Sequence, residues 1–142
     1  MGESSGGMGL GAEGGCRCGA VRLRAFGRPS TVVYCYCVDC RRSSGAPVSL
    51  FAGYEDGQVE LDRGAVRSYS SSRGVVRSFC AACGTPVSYE DGRLEGEIYL
   101  HVGIFDDPEP FEPEAHNWVS QKPGWLGITD DLPTHQQSSI PR

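Results

Sequence analysis

The sequence is poor in several things, and each shortage narrows what the chain can do. It has one lysine, Lys122, so chemistry that needs an amine has one candidate. Basic residues are outnumbered 13 to 18, which leaves a formal net charge of −5. A chain this acidic lacks the basic face that neutralises phosphates, so nucleic acid is not an expected partner. No run of apolar residues approaches the ~18 that a membrane-crossing helix requires, so no membrane partner is expected either. The opening Met1-Gly2-Glu3-Ser4-Ser5-Gly6-Gly7 has neither the basic nor the apolar stretch of a secretory leader. The expected location is the cytoplasm. At 142 residues, the chain has room for one domain with a modest core.

Residues 1–14 are rich in Gly and Ser without periodicity and read as a flexible tail. Residues 134–142 are polar and read as a loose C-terminal tail. The folded domain is expected over 15–133. Its pattern is mainly β. Val21, Leu23 and Ala25 alternate with Arg22 and Arg24, the period of a half-buried strand. Further short strands are expected at 31–36, 48–52, 58–61, 66–70, 75–79 and 87–89, and a longer one at 97–105. Gly-containing turns such as Glu55-Asp56-Gly57, Arg73-Gly74 and Asp91-Gly92 separate them. Only 38–44 reads as a helical turn.

What the sequence does have is seven cysteines. An odd count without a secretory leader does not suit a disulfide framework, and metal ligation is the better reading. The cysteines fall into three clusters: Cys16-Arg17-Cys18, Cys35-Tyr36-Cys37-Val38-Asp39-Cys40, and Cys80-Ala81-Ala82-Cys83. A tetrahedral zinc with Zn–S bonds of about 2.3 Å needs sulfurs about 3.5–4 Å apart, which one- or two-residue spacings on a turn can supply. Gly19 and Gly84 follow the last Cys of the first and third clusters, where a turn with positive φ aims amides at the sulfurs. Seven divides as four plus three, a closed structural site and an open catalytic one. The two-Cys clusters, Cys16/Cys18 and Cys80/Cys83, would make the first, and Cys35, Cys37 and Cys40 the second. One zinc with three ordinary cysteines, or redox chemistry at a lone Cys-x-x-Cys, are the competing readings.

The ordered motifs Gly15-Cys16-Arg17-Cys18-Gly19, Cys35-Tyr36-Cys37-Val38-Asp39-Cys40-Arg41-Arg42-Ser43-Ser44-Gly45 and Phe79-Cys80-Ala81-Ala82-Cys83-Gly84 resemble the glutathione-dependent formaldehyde-activating enzyme family, which includes centromere-protein-V-like proteins. Gly103-Ile104-Phe105-Asp106-Asp107-Pro108 and His116-Asn117-Trp118 extend the resemblance. It implies a β-tent, small antiparallel sheets pinned by two zinc ions per chain. It implies a structural zinc on Cys16, Cys18, Cys80 and Cys83 and a catalytic zinc on Cys35, Cys37 and Cys40. The implied activity is that of a carbon–sulfur lyase joining glutathione to formaldehyde. Where the family often has His between the first two cysteines of the middle cluster, this chain has Tyr36.

A thiol bound at an open zinc loses its proton and becomes the nucleophile. The charge developing on a carbonyl oxygen needs a donor. Arg41 and Tyr36 are the candidate catalytic side chains beside the middle cluster. Arg41, Arg42, Ser44, Gly45 and His116 are the candidate substrate-binding residues, Arg because it grips carboxylates through two bonds. Arg73, Arg77 and Lys122 are more distant candidates. His101, in mid-strand, reads as structural. The substrate is expected to be a small molecule, with glutathione one candidate. The alternative function is a non-catalytic zinc-stabilised binding module, marked by a fourth protein ligand at the middle cluster.

Overall fold

A computed structural model describes residues 11–140. The polypeptide is mainly β, in two sheets. The smaller sheet has the order β1 (Ala12–Gly15), β2 (Arg22–Ala25), β5 (Val59–Leu61). The larger has seven strands. Its order is β10 (Ala115–Asn117), β3 (Thr31–Cys35), β4 (Ser49–Glu55), β9 (Glu97–His101), β8 (Pro86–Asp91), β7 (Val75–Cys80), β6 (Val66–Ser72). Neighbours pair antiparallel except β10, which runs parallel to β3 with Asn117 opposite Cys35. A seven-residue helix, α1 (Val38–Ser44), follows β3.

Alternation sorts the side chains of the large sheet onto two faces. Ala52 and Tyr54 of β4 and Ile98 and Leu100 of β9 turn toward the small sheet. They meet Val21, Leu23 and Ala25 there, with Phe105 stacked on Phe111 at 4.2 Å. Phe51 of β4 and Tyr99 of β9 turn the other way and join Cys40 and Leu94 in a second buried cluster. Strand β8 breaks strict alternation: the register slips between Ser78 and Phe79 of its partner. One extra residue lets Val87 reach the first core and Tyr89 the second cluster.

Three sequence expectations need correction. Strand β1 begins at Ala12, within the segment read as a tail at 1–14, of which residues 1–10 fall outside the described residues. Its glycines permit close approach: a Cβ on Gly14 would sit 2.4 Å from the Ile104 carbonyl oxygen. The strand expected at 97–105 ends at His101, and Val102–Ile104 form a 3-10 turn. That turn redirects the chain so that Phe105 joins the core. The segment from 134 onward is not loose through residue 140. It runs beside β10, where His135 N–H donates to the His116 carbonyl at 2.8 Å and Trp118 N–H to that of Gln137 at 2.9 Å. Ile140 packs on the second cluster. Strand β10 itself, three residues after Pro-rich chain, has too short a pattern to read from sequence. Among the described residues, no helix is long and apolar enough to cross a membrane.

His101 packs on Phe51 at 4.6 Å between ring centres. Burial, reinforced by the nearby Arg77 charge, pushes its pKa down to about 4. The unfolded imidazole titrates near 6.5, so below that pH the unfolded chain takes up a proton that the folded chain refuses. The stabilising effect is complete above about 6.5 and is lost as the pH falls toward 4. Urea unfolding at pH 7 and pH 5 is expected to show the parent losing about 2 kcal/mol more than His101→Gln over that interval.

Candidate active site

Two groups of sulfurs come together. Cys16 and Cys18 lie between β1 and β2, Cys80 ends β7, and Cys83 lies on the β7–β8 turn. All four Sγ atoms lie within 4.8 Å of one another, with Cys16 to Cys18 at 3.6 Å and Cys18 to Cys80 at 3.8 Å. These separations are far beyond a disulfide bond and match the edges of a metal tetrahedron. The two turns are alike. Gly19 and Gly84 adopt φ of +86° and +82°, as their positions suggested. Val21 N–H donates to Cys16 Sγ at 3.2 Å, and Ala82 and Cys83 N–H both donate to Cys80 Sγ at 3.4 Å. Thr85 ties the turns: Arg17 N–H donates to its hydroxyl at 3.2 Å, and that hydroxyl lies 3.1 Å from Cys83 Sγ. Hydrogen bonds from Thr85 draw the Cys83 thiol down to about 5.

The middle cluster forms the second group. Cys35 ends β3, Cys37 caps α1 and Cys40 sits in its first turn facing the sheet. Cys40 N–H donates to Cys37 Sγ at 3.3 Å, so a sulfur does the capping that a hydroxyl or carboxylate usually does. Cys40 and Cys35 Sγ are 3.5 Å apart, and all three sulfurs lie within 4.8 Å. Hydrogen bonds from Cys35 and then Cys40 pull the Cys37 thiol down to about 3. Its neighbours resist a second charge. Cys35 is raised by hydrogen bonds with Cys37 and Cys40. Cys40, drawn down by Cys35, is pushed up more by Cys37 and burial, to about 11. Three sulfurs that cannot all be anionic without a compensating cation, half enclosed by apolar residues, are a fit donor set for a soft dication. Among the described residues, no fourth His, Cys, Asp or Glu joins this group.

The three sulfurs open on a cavity of about 340 Å³ on the second face of the large sheet. Arg77 of β7 holds its polar wall. Its side chain is 4 % exposed. Nη2 donates to Asp39 Oδ2 at 2.9 Å and to Cys40 Sγ at 3.3 Å, and Nε donates to Ser71 Oγ at 2.9 Å. Its guanidinium lies over the Tyr89 ring at 4.9 Å. Burial works against this charge, and Cys40 and Asp39 outweigh it, so Arg77 stays firmly cationic. Arg93 stands at the rim with Nη2 on Asp91 at 2.8 Å. Trp118 closes another side in the left-handed region at φ +61°, a strained position for a bulky residue.

The other residues singled out from sequence lie elsewhere. Arg41, Arg42, Ser44 and Gly45 do not line the cavity. Arg41 and Arg42 occupy the last turn of α1, where cations complement the helix dipole, and Arg42 is exposed. Gly45 is the left-handed C-cap at φ +79°, its N–H on the Arg41 carbonyl. Ser44 accepts from Ala46 N–H and from the Ser49 hydroxyl. Lys122 donates to the carbonyls of Pro123 and Leu126. Tyr36 and His116 meet each other instead of the sulfurs. The Tyr36 hydroxyl is 2.7 Å from His116 Nδ1, and His116 Nε2 is 3.0 Å from both Asp130 oxygens. Strand alternation explains this: Cys35 and Cys37 take one side, so Tyr34 and Tyr36 take the other and stack on His116. Sequence favoured Arg41 and Arg42 over Arg77 by nearness in the chain. The sign that pointed to Arg77 was an arginine inside the apolar run Val75-Val76-Arg77-Ser78-Phe79.

The glutathione-dependent formaldehyde-activating enzyme family model matches residues 11–121. The chain belongs to this family. Two relatives carry names consistent with it. A protein of Halomonas elongata, provisionally named a glutathione-dependent formaldehyde-activating enzyme, is 28 % identical over 125 residues, 82 % of this chain and 80 % of that one. An uncharacterized lyase of Schizosaccharomyces pombe is 26 % identical over 111 residues, 78 % of this chain and 80 % of that one. A Rhodobacter sphaeroides protein of known crystal structure shares the fold, with a TM-score of 0.55 and 23 % identity over 66 % of this chain and 87 % of its own.

Removing the Tyr36 hydroxyl orphans His116 Nδ1 in a buried position. Tyr36→Phe is therefore expected to lower the unfolding free energy by about 1–2 kcal/mol. Metal content at Cys35, Cys37 and Cys40 should stay unchanged, and a loss of metal in this variant would place Tyr36 in the site after all.

Proposed function

We propose that the protein is a zinc-dependent carbon–sulfur lyase with two zinc ions per chain. Cys16, Cys18, Cys80 and Cys83 hold a structural ion. Cys35, Cys37 and Cys40 hold a catalytic one. The reaction joins a thiol such as glutathione to a small aldehyde such as formaldehyde, or runs in reverse on the adduct. The observation that carries this reading is a three-sulfur group, without a fourth protein donor among the described residues, opening on a cavity with two arginines in its wall. A binding module would be expected to close that fourth position. Seven cysteines without a disulfide suit a reducing compartment, and we place the protein in the cytoplasm.

When bound at the three sulfurs, zinc supplies thiol activation by favouring the thiolate form at neutral pH. The chain's own residues do the rest. Arg93, half exposed at the rim, meets a carboxylate of an incoming thiol. Phe51, Leu94, Tyr99 and Trp118 keep water from the reacting groups. The thiol sulfur attacks the carbonyl carbon and a C–S bond forms. The π pair moves to oxygen, which gains the proton that the thiol gave up. The fixed charge of Arg77 stabilises the negative charge that develops there. Asp39 and Ser71 hold Arg77 in place, so no reorganisation is needed as that charge appears.

Cys37→Ala is expected to lose one of two zinc ions and all turnover while keeping the fold, read by elemental analysis, circular dichroism and a thiol–aldehyde assay. Turnover retained by this variant would sink the catalytic assignment. Cys83→Ala is expected to abolish soluble folding, because a structural zinc contributes folding energy directly. A soluble, cooperatively unfolding Cys83→Ala protein would count against the structural site.

A further inference from the structure

Charge around the three sulfurs does not balance. Two thiolates match a dication, and coordination of a third leaves its negative charge in excess. The nearby ion pairs do not remove that excess. Arg77 is matched by Asp39 at 2.9 Å, and Arg93 at the rim by Asp91 at 2.8 Å. The site is therefore net negative before a further thiolate arrives.

Asp39 is a carboxylate that a ligand can reach. Its side chain lines the cavity and is 34 % exposed. Oδ2 accepts from Arg77 Nη2 and from the Ser71 hydroxyl, both at 2.9 Å. Oδ1 accepts no hydrogen bond among the described residues, and it is not one of their sealed polar atoms. The carboxylate stands close to the sulfurs, because the same Arg77 Nη2 also donates to Cys40 Sγ at 3.3 Å. Phe51, Tyr89, Tyr99 and Trp118 bring four aromatic rings to the same cavity. Ring faces attract cations, and Tyr89 already carries the Arg77 guanidinium at 4.9 Å. An open carboxylate oxygen, aromatic rings and surplus negative charge together suit an ammonium group.

We propose that the thiol taken up by this site carries a free amine close to its sulfur, as in a 2-aminothiol. The thiol sulfur occupies the open side of the three-cysteine group. The ammonium donates to Asp39 Oδ1 and lies against the aromatic wall. This rests on the thiol-addition function above and names the thiol class of that same site. The amine takes no part in the bond changes. It fixes the direction of the thiol and offsets the charge that collects around the sulfurs. Glutathione has an amide nitrogen in that place and a net negative charge at neutral pH, so it is the poorer fit.

The test is calorimetric titration of four thiols into the zinc-loaded full chain at neutral pH. Each affinity is referred to the thiolate concentration, so that the different acidities of the free thiols are taken into account. Cysteamine carries the ammonium. N-acetylcysteamine has a neutral amide in its place, 2-mercaptoethanol a hydroxyl and 3-mercaptopropionate a carboxylate. Cysteamine is expected to bind about tenfold more tightly than N-acetylcysteamine or 2-mercaptoethanol, and 3-mercaptopropionate more weakly than any of them. Asp39→Asn keeps an oxygen for Arg77 and Ser71 and removes the charge. It should cut the advantage of cysteamine to about twofold or less. The comparison of cysteamine with N-acetylcysteamine needs no variant, so it decides the amine class even where Asp39→Asn fails to fold. Equal binding of those two overturns the amine class and leaves the thiol-addition function standing. An advantage that survives Asp39→Asn in full overturns the role of Asp39. Binding of none of the four, with both zinc ions in place, overturns the thiol-addition function and this inference with it.

Discussion

Four sulfurs on two turns that are 62 residues apart in sequence converge to within 4.8 Å, and much of the architecture follows from that convergence. One turn belongs to the small sheet and the other to the large one. Holding them together fixes how the sheets meet, and the first core fills the angle between them. The chain is of modest size, and its buried apolar side chains are concentrated in that angle. A small domain of this kind gains from a cross-link that does not depend on core volume. The sheets then present a second face, free of the core's demands, on which the cavity is built.

On that face Arg77 couples parts that differ in role. One guanidinium reaches β6 through Ser71, α1 through Asp39, and the sulfur group through Cys40. The helix is too short to be stable alone, and it is held by its cysteine cap, its left-handed Gly45 and this arginine. Orientation of Cys40 toward Cys35 thus depends on a residue from a strand 37 positions away. A positive charge beside these sulfurs, fixed by a carboxylate and a hydroxyl, is an arrangement that favours their thiolate forms.

The cysteine clusters were legible because their spacing is a local property. Positive φ at Gly19 and Gly84 was legible for the same reason, and so was α1, which begins and ends where the sequence suggested. Most strands were read within one to three residues. What could not be read was what depends on distant partners. Strand β10 has three residues and no pattern of its own, and it exists because β3 offers an edge. The C-terminal segment looks polar and unstructured, yet it packs because β10 supplies backbone partners. Arg41 and Arg42 drew attention by adjacency, whereas a short helix turns consecutive residues about 100° apart and carries them away from Cys40. Tyr36 and Cys37 are neighbours that strand geometry sends to opposite sides.

The parallel pairing of β10 with β3 also bears on how the molecule assembles. Tyr36 and His116, which bond across this edge, are 80 residues apart in sequence. Joining them closes a long loop, which is entropically opposed until the intervening strands have formed. Trp118 and Ile140 lie on or beyond that edge, so the far wall of the cavity is laid down late. On a ribosome, the sulfur groups and most of the large sheet can organise while this wall is still being made. The nascent chain therefore passes through a stage in which its apolar second face is uncovered, when association with other chains is the main hazard.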